Sequence, residues 1–160
     1  MKIGQVMKTN VEVCGIDDNL AAVASRMWDY DIGCLPVVDG GRVVGMVTDR
    51  DICMAAMTRG QRLGDIPVYV AMAKEVLSCP PDATLVEAEE VMRSGQVRRL
   101  PVIDSEDRLV GIVTLNDLAL LAEHEIGRRS SNLSAQEVTA TLAAVGAPRQ
   151  AKTAEEKATA

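Results

Sequence analysis

Apolar residues along the chain change their spacing in a regular way, and this spacing predicts the elements. Between Leu20 and Met27 they recur every three or four positions, which is typical of a helix with one buried face. Two short apolar runs follow, separated by a turn rich in Gly or acidic residues, and they predict two strands. A second helix is expected from Asp49. A further strand adjoining the first helix is also expected.

The same pattern occurs a second time. Shifting the chain by about 65 residues, which is longer than solenoid periods, aligns LPV at 35–37 with LPV at 100–102. The segment VVGMVTDRDI (43–52) aligns with LVGIVTLNDL (109–118) once a longer turn in the second copy is allowed for. The final helix of this copy is expected to start near Leu115. The chain is therefore a tandem duplication.

These observations predict two repeats, at residues 1–63 and 64–126, followed by a tail at 127–160. Each repeat mixes strands with helices that must share one core, which predicts an α/β (α+β) fold of two small sheets packed with helices. A unit of about 60 residues buries little surface alone, so the halves are expected to pack about a pseudo-twofold axis. The Ala-rich, polar tail is expected to be partly helical after a cap at Ser134, and disordered from about Pro148.

Composition narrows the class of protein. The chain is 48% hydrophobic and 25% charged, as in ordinary globular proteins. No apolar run reaches the length of a membrane span, and MKIGQVMKTN lacks the apolar core of a signal peptide, so we expect a cytoplasmic protein without a membrane partner. A net charge of −6, with one Trp, two Tyr and no Phe, argues against nucleic-acid binding.

Residues for catalysis or metal binding are scarce. His124 is the single histidine, and no Ser or Cys stands beside it in a recognisable catalytic arrangement. The four cysteines form no C-x-x-C pair, so zinc-ligand spacing is absent. We therefore expect no enzyme and no metal. The cysteines are expected to be buried free thiols, with a redox-linked disulfide as the alternative.

Thr48 and Asp51, and again Thr114 and Asp117, stand three residues apart where a strand meets a helix. One interpretation is a capping box, which satisfies free backbone N–H groups and needs no ligand. The other is a nucleotide-binding corner. There an acid accepts hydrogen bonds from ribose, Thr and free N–H groups hold phosphate, and the preceding Gly admits a close neighbour. Both interpretations fit these residues.

The duplicated pattern G-h-V-T-x-x-D, preceded by h-R-R-L-P-V-h-D and an M-x-x-x-V segment, resembles a cystathionine-β-synthase (CBS) domain. Two in tandem resemble a CBS pair, or Bateman module, over about residues 3 to 122. DIGCLPV and GMVTDRDI also resemble stand-alone CBS-pair proteins of the hypoxic-response type. The resemblance implies adenosyl ligands such as AMP, ATP or S-adenosylmethionine. By the same resemblance, Asp51 and Asp117 match the acids that bind ribose. Thr48 and Thr114 match the neighbouring hydroxyl residues, and Val11 and Val76 match residues that border adenine.

Arg98 and Arg99 match basic positions that meet phosphate in the family. The first copy carries Gly33 and Cys34 there, so the two sites are expected to be unequal. The alternative is that Arg99 is an ordinary solvated charge at a strand end.

The resemblance implies a regulatory adenosyl-nucleotide-binding module that senses its ligand and signals through a homodimer or an unidentified effector protein. Apolar helix positions proposed for the dimer face are Ile52, Ala55, Ala56, Leu118, Leu121 and Ala122. Two alternatives remain open. One is a structural or interaction protein that binds no nucleotide, and the other is a thiol-based redox sensor that uses Cys14 or Cys34.

Overall fold

The structure is a computed structural model that describes residues 1–125 and 134–148. Its helices and strands follow the predicted order in both repeats. The helices are α1 (Leu20–Asp29), α2 (Asp49–Arg59), α3 (Leu85–Gly95), α4 (Leu115–Glu125) and α5 (Ala135–Gly146). The strands are β1 (Cys14–Gly15), β2 (Cys34–Asp39), β3 (Arg42–Thr48), β4 (Arg99–Ile103) and β5 (Leu109–Thr114). Short 3₁₀ turns lie at Ile3–Gln5, Leu63–Asp65 and Val68–Val70.

Each repeat builds one small sheet. In the first, β1 runs parallel to β2, and β2 pairs antiparallel with β3 so that Leu35 lies opposite Val47. In the second, β4 pairs antiparallel with β5, and Leu100 lies opposite Val113. A single parallel bridge between Cys79 and Val102 takes the place of β1. The two sheets therefore repeat one register, as the aligned LPV and Thr-x-x-Asp segments require.

The two repeats exchange segments. Residues 2–8, the N-terminal segment, pack on the second repeat: Ile3 is fully buried in its core and donates its N–H to the Ala83 carbonyl at 2.8 Å. Residues 66–73, the middle segment, pack on the first repeat, where Ile66 and Val68 complete the core. Each core is thus completed by a segment that belongs, in sequence, to the start of the other repeat. This exchange of segments links the two halves. The boundary between residues 63 and 64 stays a prediction, and these contacts cross it.

The glycine of each repeated motif has a specific role. A Cβ on Gly45 would lie 2.6 Å from Met72 Sδ and 2.9 Å from the Ala73 carbonyl oxygen. A Cβ on Gly111 would lie 2.5 Å from Met7 Sδ. Real Cβ atoms do not approach other atoms so closely. The group that these glycines admit is therefore the protein's own exchanged segment, which packs against the strand.

The apolar helix positions proposed for a dimer face are largely used within the chain. Ile52 and Ala55 are buried in the first core, and Leu118 and Ala122 in the second. The large apolar side chains that remain exposed on these helices are instead Met54, Met57 and Leu120. In the part of the chain that the structure describes, no helix is long and apolar enough to cross a membrane.

The predicted tail helix is present as α5. Ser134 caps it: its hydroxyl accepts from the Glu137 N–H at 3.2 Å, and the Glu137 carboxylate accepts the Ser134 N–H in return. Val138, Thr141 and Val145 are buried against α3 and α4. The predicted disorder falls almost entirely on residues outside the described ones.

Candidate ligand-binding site

The second Thr-x-x-Asp corner forms a complete capping box at the start of α4. The Asp117 Oδ2 atom accepts hydrogen bonds from the Thr114 N–H at 2.9 Å and the Thr114 hydroxyl at 2.6 Å. The Asp117 N–H donates to Thr114 Oγ1 at 3.1 Å. The carboxylate uses one oxygen in this box. The second oxygen, Oδ1, is left for another partner, so the capping and ligand-binding interpretations do not exclude each other.

The first corner repeats this geometry. Asp51 Oδ2 accepts from the Thr48 N–H at 2.9 Å and the Thr48 hydroxyl at 2.7 Å. The Asp51 N–H donates to Thr48 Oγ1 at 3.2 Å. Capping is therefore a shared function of both corners, and any difference between them must come from their surroundings.

Lys8 distinguishes the second corner. The Lys8 Nζ atom lies 3.0 Å from Asp117 Oδ1, on a carboxylate whose side chain is only 11% exposed. Backbone hydrogen bonds between Lys8 and Ile112, at 2.9 Å in both directions, hold the N-terminal segment beside β5 and place the side chain there. Repeat alignment puts Ala73 at the equivalent place in the first corner, and alanine carries no charge there.

A cavity of about 750 Å³ opens between the repeats at the second corner. This volume suits a ligand of nucleotide size. One wall comes from the first repeat and the residues before it, and the other from the second repeat and α5. The lining residues are Lys8, Asn10, Val11, Glu12, Tyr30, Asp31, Ile32, Cys34, Pro36, Arg98, Arg99, Ile112, Thr114, Leu115, Asn116, Ala119, Val138 and Leu142.

The predicted basic residues lie at this cavity. Arg98 and Arg99 both line it, together with Val11 and Thr114. Arg99 reaches across to the first repeat, since its Nη2 atom would lie 3.3 Å from a Cβ on Gly33. The cavity thus contains three cationic side chains, counting Lys8, beside apolar surface. This combination can hold an anionic group and an apolar ring.

The first corner has less space for a ligand. A smaller cavity of about 220 Å³ lies beside Asp51, between α2 and the middle segment. Its lining residues are Asp51, Met54, Ala55, Thr58, Arg59, Val70 and Ala71. Thr48 and Val76 are not among them, so the structure does not bring these two residues together with Asp51 in one cavity. The expected inequality of the two corners fits this arrangement.

The cysteines are free thiols, three buried and Cys53 exposed. Burial raises the pKa of Cys14 to about 11, and the nearby Asp18 charge acts in the same direction. Burial also raises the pKa of Cys34, although Arg99 opposes the effect. Because the thiolate is the reactive form, these two thiols are poorly suited to redox sensing at neutral pH.

Two features of the cavity were not predicted from the sequence. The contact of Lys8 with Asp117 was not predicted, because no local motif links these two residues. The repeat alignment did contain a signal, since it places Lys8 opposite the uncharged Ala73. Val138 and Leu142 of α5 also line the cavity, and they belong to a segment expected only to be a tail. Both depend on contacts between residues far apart in the chain.

Comparison with known proteins identifies the repeats. The CBS domain family model matches residues 3–58 and 63–123. Hypoxic response protein 1 of Mycobacterium tuberculosis is 39% identical over 123 residues, covering 76% of this chain and 85% of that protein. A crystal structure of Hypoxic Response Protein I with two coordinated zinc ions is 35% identical, with a TM-score of 0.69 over 75% of this chain and 98% of that one.

A third comparison concerns the fold. The CBS domain pair of protein MJ0100, in complex with 5′-methylthioadenosine and S-adenosyl-L-methionine, aligns with a TM-score of 0.71 over 78% of this chain and 98% of that chain. At 22% identity the likeness is one of architecture. As for zinc, residues 1–125 and 134–148 contain no group of three or more His, Cys, Asp or Glu side chains that could hold a metal ion.

Proposed function

Because this chain belongs to the CBS-domain family, we propose that it is a regulatory module that binds an adenosyl nucleotide, such as AMP, ATP or S-adenosylmethionine, between its repeats. The observation that carries the proposal is the cavity of about 750 Å³ at the second corner, where Thr114 and three cationic side chains lie beside apolar walls. Asp117 does not itself line the cavity, but it contacts two residues that do, Thr114 and Lys8. The adenosyl ligands of the MJ0100 pair, a protein of the same fold, support this ligand class.

The carboxylate geometry supports a ribose role for Asp117. Its Oδ2 atom is committed to the cap of α4, whereas Oδ1 meets the exposed end of a lysine side chain. Ribose hydroxyls are strong donors to a carboxylate. Oδ1 is therefore the oxygen that we assign to ribose. Val11 supplies apolar surface for the base, and Thr114 lies beside the sugar.

Arg98 and Arg99 are assigned to the phosphate. A guanidinium can hold phosphate oxygens through two parallel charge-assisted hydrogen bonds. The matching first-copy residues, Gly33 and Cys34, carry no positive charge, and a single cationic residue, Arg59, lines the smaller cavity beside Asp51. The second corner should therefore prefer phosphorylated ligands. The first corner, where Thr48 and Asp51 lie together, should bind uncharged adenosyl groups or remain empty.

Calorimetry with AMP and adenosine tests the proposal. Asp117→Ala should remove a hydrogen bond to an ionised acceptor, worth about 1.5–3 kcal/mol, which weakens binding by about tenfold to hundredfold. This variant also loses a helix cap. Glu87→Ala is a matched control, because Glu87 forms the same capping box with Thr84 at the start of α3 and does not line the cavity.

The outcomes separate the candidate functions. Loss of affinity in Asp117→Ala but not in Glu87→Ala supports ribose binding. No binding of either ligand by the unmodified protein favours the alternative in which Thr-x-x-Asp is only a helix cap in a structural or interaction protein. An Arg98→Ala, Arg99→Ala double variant should weaken AMP more than adenosine, and equal losses would contradict the phosphate role.

Signalling through a homodimer or an effector protein belongs to the same proposal, as does a cytoplasmic location. Met54 and Leu120 occupy equivalent positions in the two repeats, and both are about half exposed. Such paired apolar side chains suit a twofold interface. No catalytic role is assigned to any residue, and His124 is exposed near the end of α4.

A further inference from the structure

Helix α5 lies outside the segments that the CBS family model matches, yet it packs on the second repeat. Three of its side chains are buried against α3 and α4. Its far end is held as well, because the Gln96 side-chain amide donates to the carbonyl oxygens of Ala144 at 3.3 Å and Ala147 at 3.2 Å. This helix is therefore an addition to the shared repeat rather than part of it.

The same helix forms a wall of the large cavity. Val138 and Leu142 stand four residues apart, on one face of α5, and both line the cavity with Leu115 at the start of α4. Val138 is buried, whereas 54% of Leu142 is exposed. Leu142 consequently retains apolar surface that a ligand can cover. In the first repeat, α2 is followed by a 3₁₀ turn and the middle segment instead of such a helix.

The contact between α5 and α3 contains an unfavourable polar group. The fully buried Glu89 carboxylate accepts one hydrogen bond from the Thr141 hydroxyl at 3.0 Å, and its Oε2 atom has no hydrogen-bond partner among the described residues. The buried Arg93 Nε atom makes only a long contact of 3.7 Å with the Glu90 carboxylate. Burying polar groups without hydrogen bonds opposes docking. The packing of α5 on α3 is therefore less stable than its apolar contacts alone would make it.

We propose that a nucleotide in the large cavity contacts Val138 and Leu142, so that its binding stabilises α5 on α3 and α4. The apolar surface of these two side chains suits the face of a purine ring, while Arg98 and Arg99 suit its phosphate. Occupancy of the cavity is then transmitted to the outer surface of the second repeat through α5. This inference rests on the proposed function, because it takes the ligand to be an adenosyl nucleotide.

Hydrogen–deuterium exchange on the full chain tests the coupling directly. With AMP at saturating concentration, exchange in peptides covering residues 135–146 should slow by about threefold or more, while α1, which lines neither cavity, provides an internal reference. The variant Leu142→Ala should weaken AMP binding by about three- to tenfold, as expected for losing part of a buried leucine. Gln136→Ala is the matched control, since Gln136 is exposed on α5 and does not line the cavity.

The possible results distinguish this inference from the proposed function. AMP binding that depends on Asp117 but not on Leu142, with unchanged exchange in α5, would overturn the role of α5 alone. Absence of AMP binding to the unmodified chain would overturn both. Slower exchange in α5 together with a specific loss in Leu142→Ala would support the coupling, even if one variant proved unstable, because the exchange measurement uses the unmodified protein.

Discussion

Replacing Lys8 by Met provides a sharp test of how the second corner works. The Lys8 Nζ atom lies 3.0 Å from Asp117 Oδ1, the oxygen assigned to ribose, and the cap of α4 occupies Oδ2. A ribose hydroxyl that takes the place of Lys8 Nζ at Oδ1 must displace the lysine side chain. The Lys8→Met variant keeps an apolar stem of similar length but removes the charge. It leaves Oδ1 open before the ligand arrives.

The relative strengths decide the outcome. The Lys8 side chain is 65% exposed, and ion pairs of this kind contribute at most about 1 kcal/mol. A hydrogen bond from ribose to an ionised carboxylate contributes about 1.5–3 kcal/mol, so ribose should displace the lysine. The displacement costs adenosine up to about fivefold in affinity. With AMP, the released ammonium remains in a cavity that also contains Arg98 and Arg99, and it can approach the phosphate.

Lys8→Met should consequently bind adenosine up to about fivefold more tightly and lower the preference for AMP over adenosine by about fivefold or more. Titration calorimetry of both ligands at one salt concentration measures this. Lys74→Met is the charge-matched control, because Lys74 is exposed just after the middle segment and does not line the cavity. If Lys8→Met changes the affinities for AMP and adenosine by the same factor, or if Lys74→Met changes them as Lys8→Met does, the displacement reasoning fails.

Two further predictions concern stability and assembly. Burial raises the pKa of the Glu89 carboxyl, with Glu137 adding to the rise and Thr141 and Arg93 opposing it. The folded chain thus binds this proton more tightly than the unfolded chain does. The protonated Glu89 carboxyl therefore contributes its full stability below its unfolded pKa, and this contribution is lost as the pH rises through its folded pKa. Urea unfolding should therefore show Glu89→Gln gaining stability relative to the unmodified chain as pH increases, and a pH-independent difference would refute this. Light scattering should give about twice the mass of one 17.1 kDa chain, and Met57→Glu should reduce it toward one chain whereas the exposed Gln61→Glu should not.

Local patterns allowed much of the fold to be predicted. The start of α2 at Asp49, the start of α4 at Leu115 and the cap at Ser134 depend on a few neighbouring residues, and all three are present in the structure. Family membership also followed from the duplicated motif and is confirmed by the family model. The assignment of site residues stays a prediction, although the structure places Val11, Arg98, Arg99 and Thr114 around one cavity.

What the sequence could not predict depends on distant contacts. Glu89 lies one turn after Leu85, on the apolar stripe of α3, where a charged residue interrupts the pattern. It is buried because α5 covers it, with Thr141 as its hydrogen-bond partner. Four of the six apolar helix positions proposed for a dimer face are buried within the chain, for a similar reason. Helical periodicity identified the apolar positions of α2 and α4, but it could not show that Ile52 and Leu118 face the chain's own cores.

The exchange of segments between the repeats has a consequence for how the chain is made and how it could have arisen. During synthesis, the first core cannot close until the middle segment at 66–73 has left the ribosome. Ile3 precedes the first repeat, and it cannot pack until its partners in the second repeat have been synthesised. A single ancestral repeat that exchanged the same segment with a second copy of itself would have built the equivalent pair as two chains. Gene duplication and fusion would then have turned an intermolecular contact into an intramolecular one, at a far higher effective concentration.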